Sequence, residues 1–184
     1  MWRNTQERFG LMARLLHWSI ALLLVVLFAL GWWTTEMDYY DPLYRVVPNL
    51  HRSLGILALL LILVRLGWAL YDTRPAAVAS MPRWQALAAR FTHWLLYAAM
   101  LGLPVSGYLL STADGRGVEV FGLFEIPALL PAASGREEIA GTIHYLLGFG
   151  GAWLVLLHAA AALKHHFIDR DDTLLKMIGK PKGD

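Results

Sequence analysis

The architecture turns on Ile139–His166, IAGTIHYLLGFGGAWLVLLHAAAALKHH. From Ile139 to Leu163 this stretch runs for 25 residues with no Asp, Glu, Lys or Arg, and His144 and His158 are the ionisable side chains within it. A helix needs about 20 apolar residues to cross a hydrocarbon layer of about 30 Å, so the run reads as a membrane span. Working back along the chain, His93–Leu110 is a comparable run containing Pro104 between Gly102 and Gly107. Leu54–Tyr71 is another, broken by Arg65, and Leu15–Trp33 is interrupted by His17 and Ser19. With their flanks, the four spans are expected at about residues 12–34, 50–71, 90–112 and 139–165, within a single domain covering 1–184. Pro104 removes a backbone donor and predicts a kink in the third span.

Composition agrees. The chain has 184 residues, 57% hydrophobic and 16% charged, against about 25% charged in a soluble domain, with a mean hydropathy of +0.47 and eight Trp. A net charge of +2 is too small for a nucleic-acid footprint. The absence of Cys excludes disulfides, thiolate zinc sites, iron–sulfur clusters and thioether-attached haem. A cofactor here must be held by His, Met or carboxylate. The first run exceeds the apolar core of a signal peptide, and Gly31-Trp32-Trp33-Thr34-Thr35 offers no small-x-small cleavage site, so it is expected to be retained as a span.

Four spans place both termini on one side. That side receives Arg3, Arg8, Arg14, Arg65, Arg74, Arg83, Arg90, Lys164, Arg170, Lys176, Lys180 and Lys182, which is 12 of the 16 basic residues. The other side receives Arg45, Arg52, Arg116 and Arg136 together with eight acids. The positive-inside rule then puts both termini of this multi-pass chain in the cytoplasm. The longest connection, Ser111–Glu138, lies outside, and its apolar residues suggest a short amphipathic surface helix. Arg14-Leu-Leu-His17-Trp18 and Arg90-Phe-Thr-His93-Trp94 repeat Arg-x-x-His-Trp at the inner ends of spans one and three, a pattern that also suits interfacial anchors.

Ionisable groups inside spans are functional candidates by default. Depth sorts the histidines. His51 and His144 fall in the outer half, while His17, His93 and His158 fall in the inner half, with His165 and His166 near the cytoplasmic interface. His158 follows His144 by fourteen residues, which is about 21 Å along the helix and about 40° around it. One helix therefore presents imidazoles to the same neighbours at two levels. His51 is the outer partner on offer for His144; His17 and His93 are the candidates for His158. Zinc would want further ligands, and none is buried. Haem b asks for one or two axial imidazoles and a flat apolar slot between helices. Two pairs at two depths imply two haem b groups stacked across the bilayer, both axially filled and suited to passing electrons rather than binding substrate. The plainer alternative is cross-bundle hydrogen bonding, worth about 1 kcal/mol per bond.

The chain resembles the bacterial cytochrome b561 family from about Arg14 to Met177, which implies a multi-pass protein of the bacterial inner membrane. The resemblance rests on Leu16-His17-Trp18, His51 with Gly55, Leu103-Pro104-Val105-x-Gly107, Leu157-His158 through Leu163-x-His165-His166-Phe167, and Asp172-Thr-Leu-Leu175. It implies a four-helix dihaem cytochrome with His17 paired to His158 and His51 to His144, leaving His93 without a ligand role. It further implies electron transfer to the quinone pool, one branch taking electrons from superoxide at the periplasmic face and giving them to ubiquinone. The family points to His165 for the quinone, with His93 a second candidate there. Arg65 is a candidate partner for an inner haem propionate, the alternative being a side chain that snorkels to the headgroups. The four outer arginines suit steering of a small anionic donor, set against the eight acids beside them.

Three functions follow as expectations. The first is a superoxide:quinone oxidoreductase working with lipid, quinone and a small-molecule donor, alone or as a homo-oligomer. The second is a haem b membrane anchor relaying electrons between a partner dehydrogenase and the quinone pool. The third is a membrane scaffold or transporter without haem.

Overall fold

The computed structural model describes residues 1–76 and 81–179. Helices α1 (Leu11–Glu36), α2 (Val46–Tyr71), α3 (Arg83–Ser111) and α4 (Arg136–Lys164) carry the chain. All four are long and apolar enough to cross a membrane. A π-helical turn, His165–Asp169, continues α4 and is followed by the short helix α5, Thr173–Ile178. The helices extend past the apolar limits read from sequence: α2 begins at Val46 and takes Pro48 in its first turn, where no amide donor is needed, and α3 begins directly after Pro82 and stays helical through Pro104.

The helices pack as two antiparallel pairs, α1 with α2 and α3 with α4, joined where α2 meets α3. Among the described residues no comparable backbone packing joins α1 to α4. A small core of Ile20, Ala58 and Ile62, flanked by Leu23, Leu24, Leu27 and Met100, locks the α1–α2 pair to α3. Lipid tails are as apolar as leucine, so this cluster contributes through van der Waals fit rather than through removal of water.

The connection between α3 and α4 departs from expectation. It holds an antiparallel hairpin of β1 (Val118–Val120) and β2 (Phe124–Ile126) where a surface helix was expected. Val-Glu-Val and Phe-Glu-Ile alternate with the two-residue period of a strand and are rich in β-branched and aromatic residues. The turn carries Phe121 at φ 52, an unfavourable conformation for a bulky residue. The buried Ser53 hydroxyl accepts a hydrogen bond from the Phe121 amide at 2.9 Å and pins it. The hairpin is thereby fastened to α2 two residues from His51.

At the opposite end the two termini meet. The Phe9 amide donates to the Lys176 carbonyl, Arg14 to Ile178 and the Trp18 indole to Met177. Asp72, just past α2, anchors the N-terminal strap: its carboxylate accepts from the Asn4 amide at 2.8 Å, from Arg3 at 3.3 Å and from the Thr73 amide at 3.0 Å. The Asn4 amide, working against burial and helped by Arg3 and Thr73, holds this carboxyl below the usual carboxylate range. A carboxyl lowered on folding stabilises above its unfolded value, here 3.8, and that contribution fades as pH falls through the lowered value. Protection of the Asn4 amide from hydrogen exchange, corrected for intrinsic rate, is therefore expected to fall on acidification below about pH 4. Asp72→Asn should lower that protection at neutral pH and abolish its acid dependence.

Candidate functional site

The seam between the helix pairs gathers the histidines at two levels. At one end, the rings of His51 on α2 and His144 on α4 lie with centroids 6.0 Å apart and planes at 86°. At the other end, His17 on α1 faces His158 on α4 at 6.2 Å and 69°. His93 on α3 also approaches His158, at 5.4 Å and 67°. The rings fall into two groups, a couple towards the hairpin end of the bundle and a cluster of three towards the end where the termini meet. Among the described residues no hydrogen bond joins the two rings of either couple, while His144 bonds across the bundle to Leu103 and Ser106 of α3.

The spacing tests the fit of a haem. Two imidazole nitrogens, each about 2 Å from a shared metal, put the ring centroids about 6 Å apart. The couples at 6.0 and 6.2 Å match that span, and the 5.4 Å pair is shorter. Among the described residues no carboxylate acts on the imidazoles of either level. Among the described residues, the three-membered His/Asp cluster with ligand atoms close together lies elsewhere, at His165, Asp169 and Asp171.

The outer couple is packed by glycines. A Cβ at Gly31 would sit 3.1 Å from His51 Cε1, and one at Gly107 would sit 3.0 Å from His144 Cε1. Each helix opposite an imidazole thus lacks a side chain where the ring lies. His144 is also held through Nδ1, which donates to the Leu103 carbonyl at 2.9 Å and has the Ser106 hydroxyl at 3.1 Å.

At the inner level Arg65 donates to the Ala13 carbonyl at 3.3 Å and lies close enough to act electrostatically on His17, His93 and His158. It follows His51 by fourteen residues, the same step that separates His144 from His158. That matched spacing was present in the sequence and puts a cation beside the inner imidazoles, as a propionate partner requires. Beyond them, His165 Nδ1 donates to Asp171 at 2.7 Å and faces Asp169 at 3.1 Å, while Lys164 bonds both Asp169 oxygens. Burial pushes the Asp171 carboxyl up, but hydrogen bonds from Thr173 and His165 outweigh it and hold the group below its ordinary value. Asp171 and His166 line a cavity of about 420 Å³ with Phe167, Arg170 and Leu175. Sequence reasoning missed Asp171, Ser106 and Gly31. Asp171 and Ser106 act through contacts that chain spacing does not encode, and Gly31 sits in an otherwise ordinary apolar run.

Comparison with known proteins bears on the same residues. The sequence profile of a family described as prokaryotic cytochrome b561 matches residues 8–180. Cytochrome b561 homolog 2 of Escherichia coli is 41% identical over 181 residues, covering 98% of this chain and 96% of its own length. Cytochrome b561 homolog 1 of the same organism is 30% identical over 180 residues, covering 96% and 99%. A protein of Yersinia pestis named probable superoxide oxidase CybB is 31% identical over 175 residues, covering 91% and 94%.

Proposed function

This chain belongs to the prokaryotic cytochrome b561 family of membrane electron-transfer proteins, and on that footing we propose that it carries electrons across the bilayer from superoxide to ubiquinone through two haem b groups. The observation that carries this reading is the pair of imidazole couples at 6.0 and 6.2 Å, one towards each end of the bundle. Family membership implies haem b, which when bound supplies reversible one-electron storage at its iron. His51 and His144 would hold the outer group, and His17 and His158 the inner one. Held between two imidazoles, each group would be suited to passing electrons rather than to binding a small ligand.

The chain's other residues supply what electron transfer alone does not. Arg65 neutralises charge at the inner level. His165, held by Asp171 with its Nδ1 as donor, would pass a proton at the cytoplasmic end. Two superoxide anions lose one electron each and leave as dioxygen. Ubiquinone takes those two electrons and two protons to become ubiquinol. The excess of basic residues at the end where the termini meet supports a cytoplasmic position for that end, with the hairpin and His51 facing the periplasm. The superoxide assignment is supported by the name of the Yersinia relative.

The test is haem quantitation on the purified chain, followed by superoxide-driven ubiquinone reduction. Two haems per chain and quinol formation that stops when superoxide dismutase is added are expected. One haem per chain would overturn the pairing. Two haems without quinol formation, in a chain that purifies with a soluble dehydrogenase, would replace superoxide by a protein donor.

A further inference from the structure

His144 differs from a bare axial imidazole in having its second nitrogen committed. Its Nδ1 lies 2.9 Å from the Leu103 carbonyl and 3.1 Å from the Ser106 hydroxyl. The Ser106 hydroxyl itself donates to that same carbonyl at 3.0 Å. Ser106 is buried, with 5% of its surface exposed. The proton positions follow from chemistry. A carbonyl oxygen only accepts, so Nδ1 must carry a hydrogen, and Nε2 is left with the lone pair. Because the serine proton is spent on Leu103, the hydroxyl's lone pairs remain to face Nδ1–H, which thus has two acceptors. The neighbouring Gly107 leaves the ring its place, since a Cβ there would come within 3.0 Å of Cε1 and 3.2 Å of Nδ1.

We infer that Ser106 is a positioning residue for His144, setting its tautomer, its rotation and its strength as an electron donor to the outer haem. The inference rests on His144 being an outer ligand. Partners that accept from the distal nitrogen of a ligating histidine orient the ring and raise its basicity, and second-shell hydrogen bonding is a lever on haem potential. Ser106 thus separates the two haems energetically by acting on one alone. The motif Leu103-Pro104-Val105-x-Gly107 acquires a physical content, in which its unspecified fourth position is the serine.

The experiment is a redox titration of the reduced α-band together with low-temperature electron paramagnetic resonance, on the purified haem-loaded protein. Ser106→Ala removes one of the two acceptors, so the outer haem's midpoint should move to a more positive potential and its largest g value should change. The inner haem, unchanged, is the control. Ser106→Thr keeps the hydroxyl and should restore both readouts. Ser106→Cys keeps the volume with a weaker acceptor and should move the same haem's midpoint in the same direction by less; it decides the matter should Ser106→Ala not assemble. Ser106→Ala with both haems unaltered, or with both shifted equally, overturns the inference. His144→Ala separates the premise from the proposal. Retention of both haems there overturns the ligand assignment, whereas loss of one haem beside a silent Ser106→Ala overturns only the positioning role.

Discussion

Alanine at His51 or at His144 is expected to remove the same haem, leaving each variant with roughly half the wild-type haem content. The double variant should lose no more than either single one. The two rings lie 6.0 Å apart on different helices, α2 and α4. Each alone offers an iron one axial bond in an apolar seam, and the Gly31 and Gly107 positions that cradle the rings present no replacement ligand. Haem content per chain and the reduced-minus-oxidised spectrum measure the loss. Additive losses, with the double variant free of haem, would show that the two histidines serve different groups.

The second large effect separates His17 from His93. His17→Ala should lose the inner haem, whereas His93→Ala should retain both. Both rings approach His158, His93 more closely at 5.4 Å than His17 at 6.2 Å. Proximity alone would therefore choose His93. The metal-bridged span of about 6 Å favours His17, as does its agreement with the outer couple. His93 then stands beside the inner group as a polar neighbour, and its substitution should disturb quinone reduction more than haem content. A haem-deficient His93→Ala beside a fully loaded His17→Ala would reverse the assignment.

Much of the architecture was legible in the chain. Four runs free of acids, three of them interrupted by no charged residue and one by Arg65, announced four spans, because a bilayer forces any crossing segment to satisfy its own backbone as a helix. Successive crossings of one bilayer then make neighbouring spans antiparallel. The two levels of imidazoles were equally readable, since helical rise and rotation convert the fourteen residues between His144 and His158 into a depth and an angle. The same arithmetic carries Arg65, fourteen residues beyond His51, to the level of His17, His93 and His158.

The loop after α3 went the other way. Its apolar residues suggested a surface helix, yet Val118–Val120 and Phe124–Ile126 pair as strands, with Ser53 of α2 holding the turn. A short segment has weak local preference, so a contact 68 residues away in the chain settles its form. The same holds for Asn4 on Asp72, also 68 residues apart.

Span number, histidine depth and the charge asymmetry between the two ends of the bundle are thus consequences of local chemistry, because helix geometry and transfer free energy act on a segment wherever it packs. The meeting of three rings at the inner level, the shared hold of Leu103 and Ser106 on His144, and the strand pairing outside belong to the folded molecule. They depend on the angle and separation at which distant segments come together, and no periodicity within one segment encodes those.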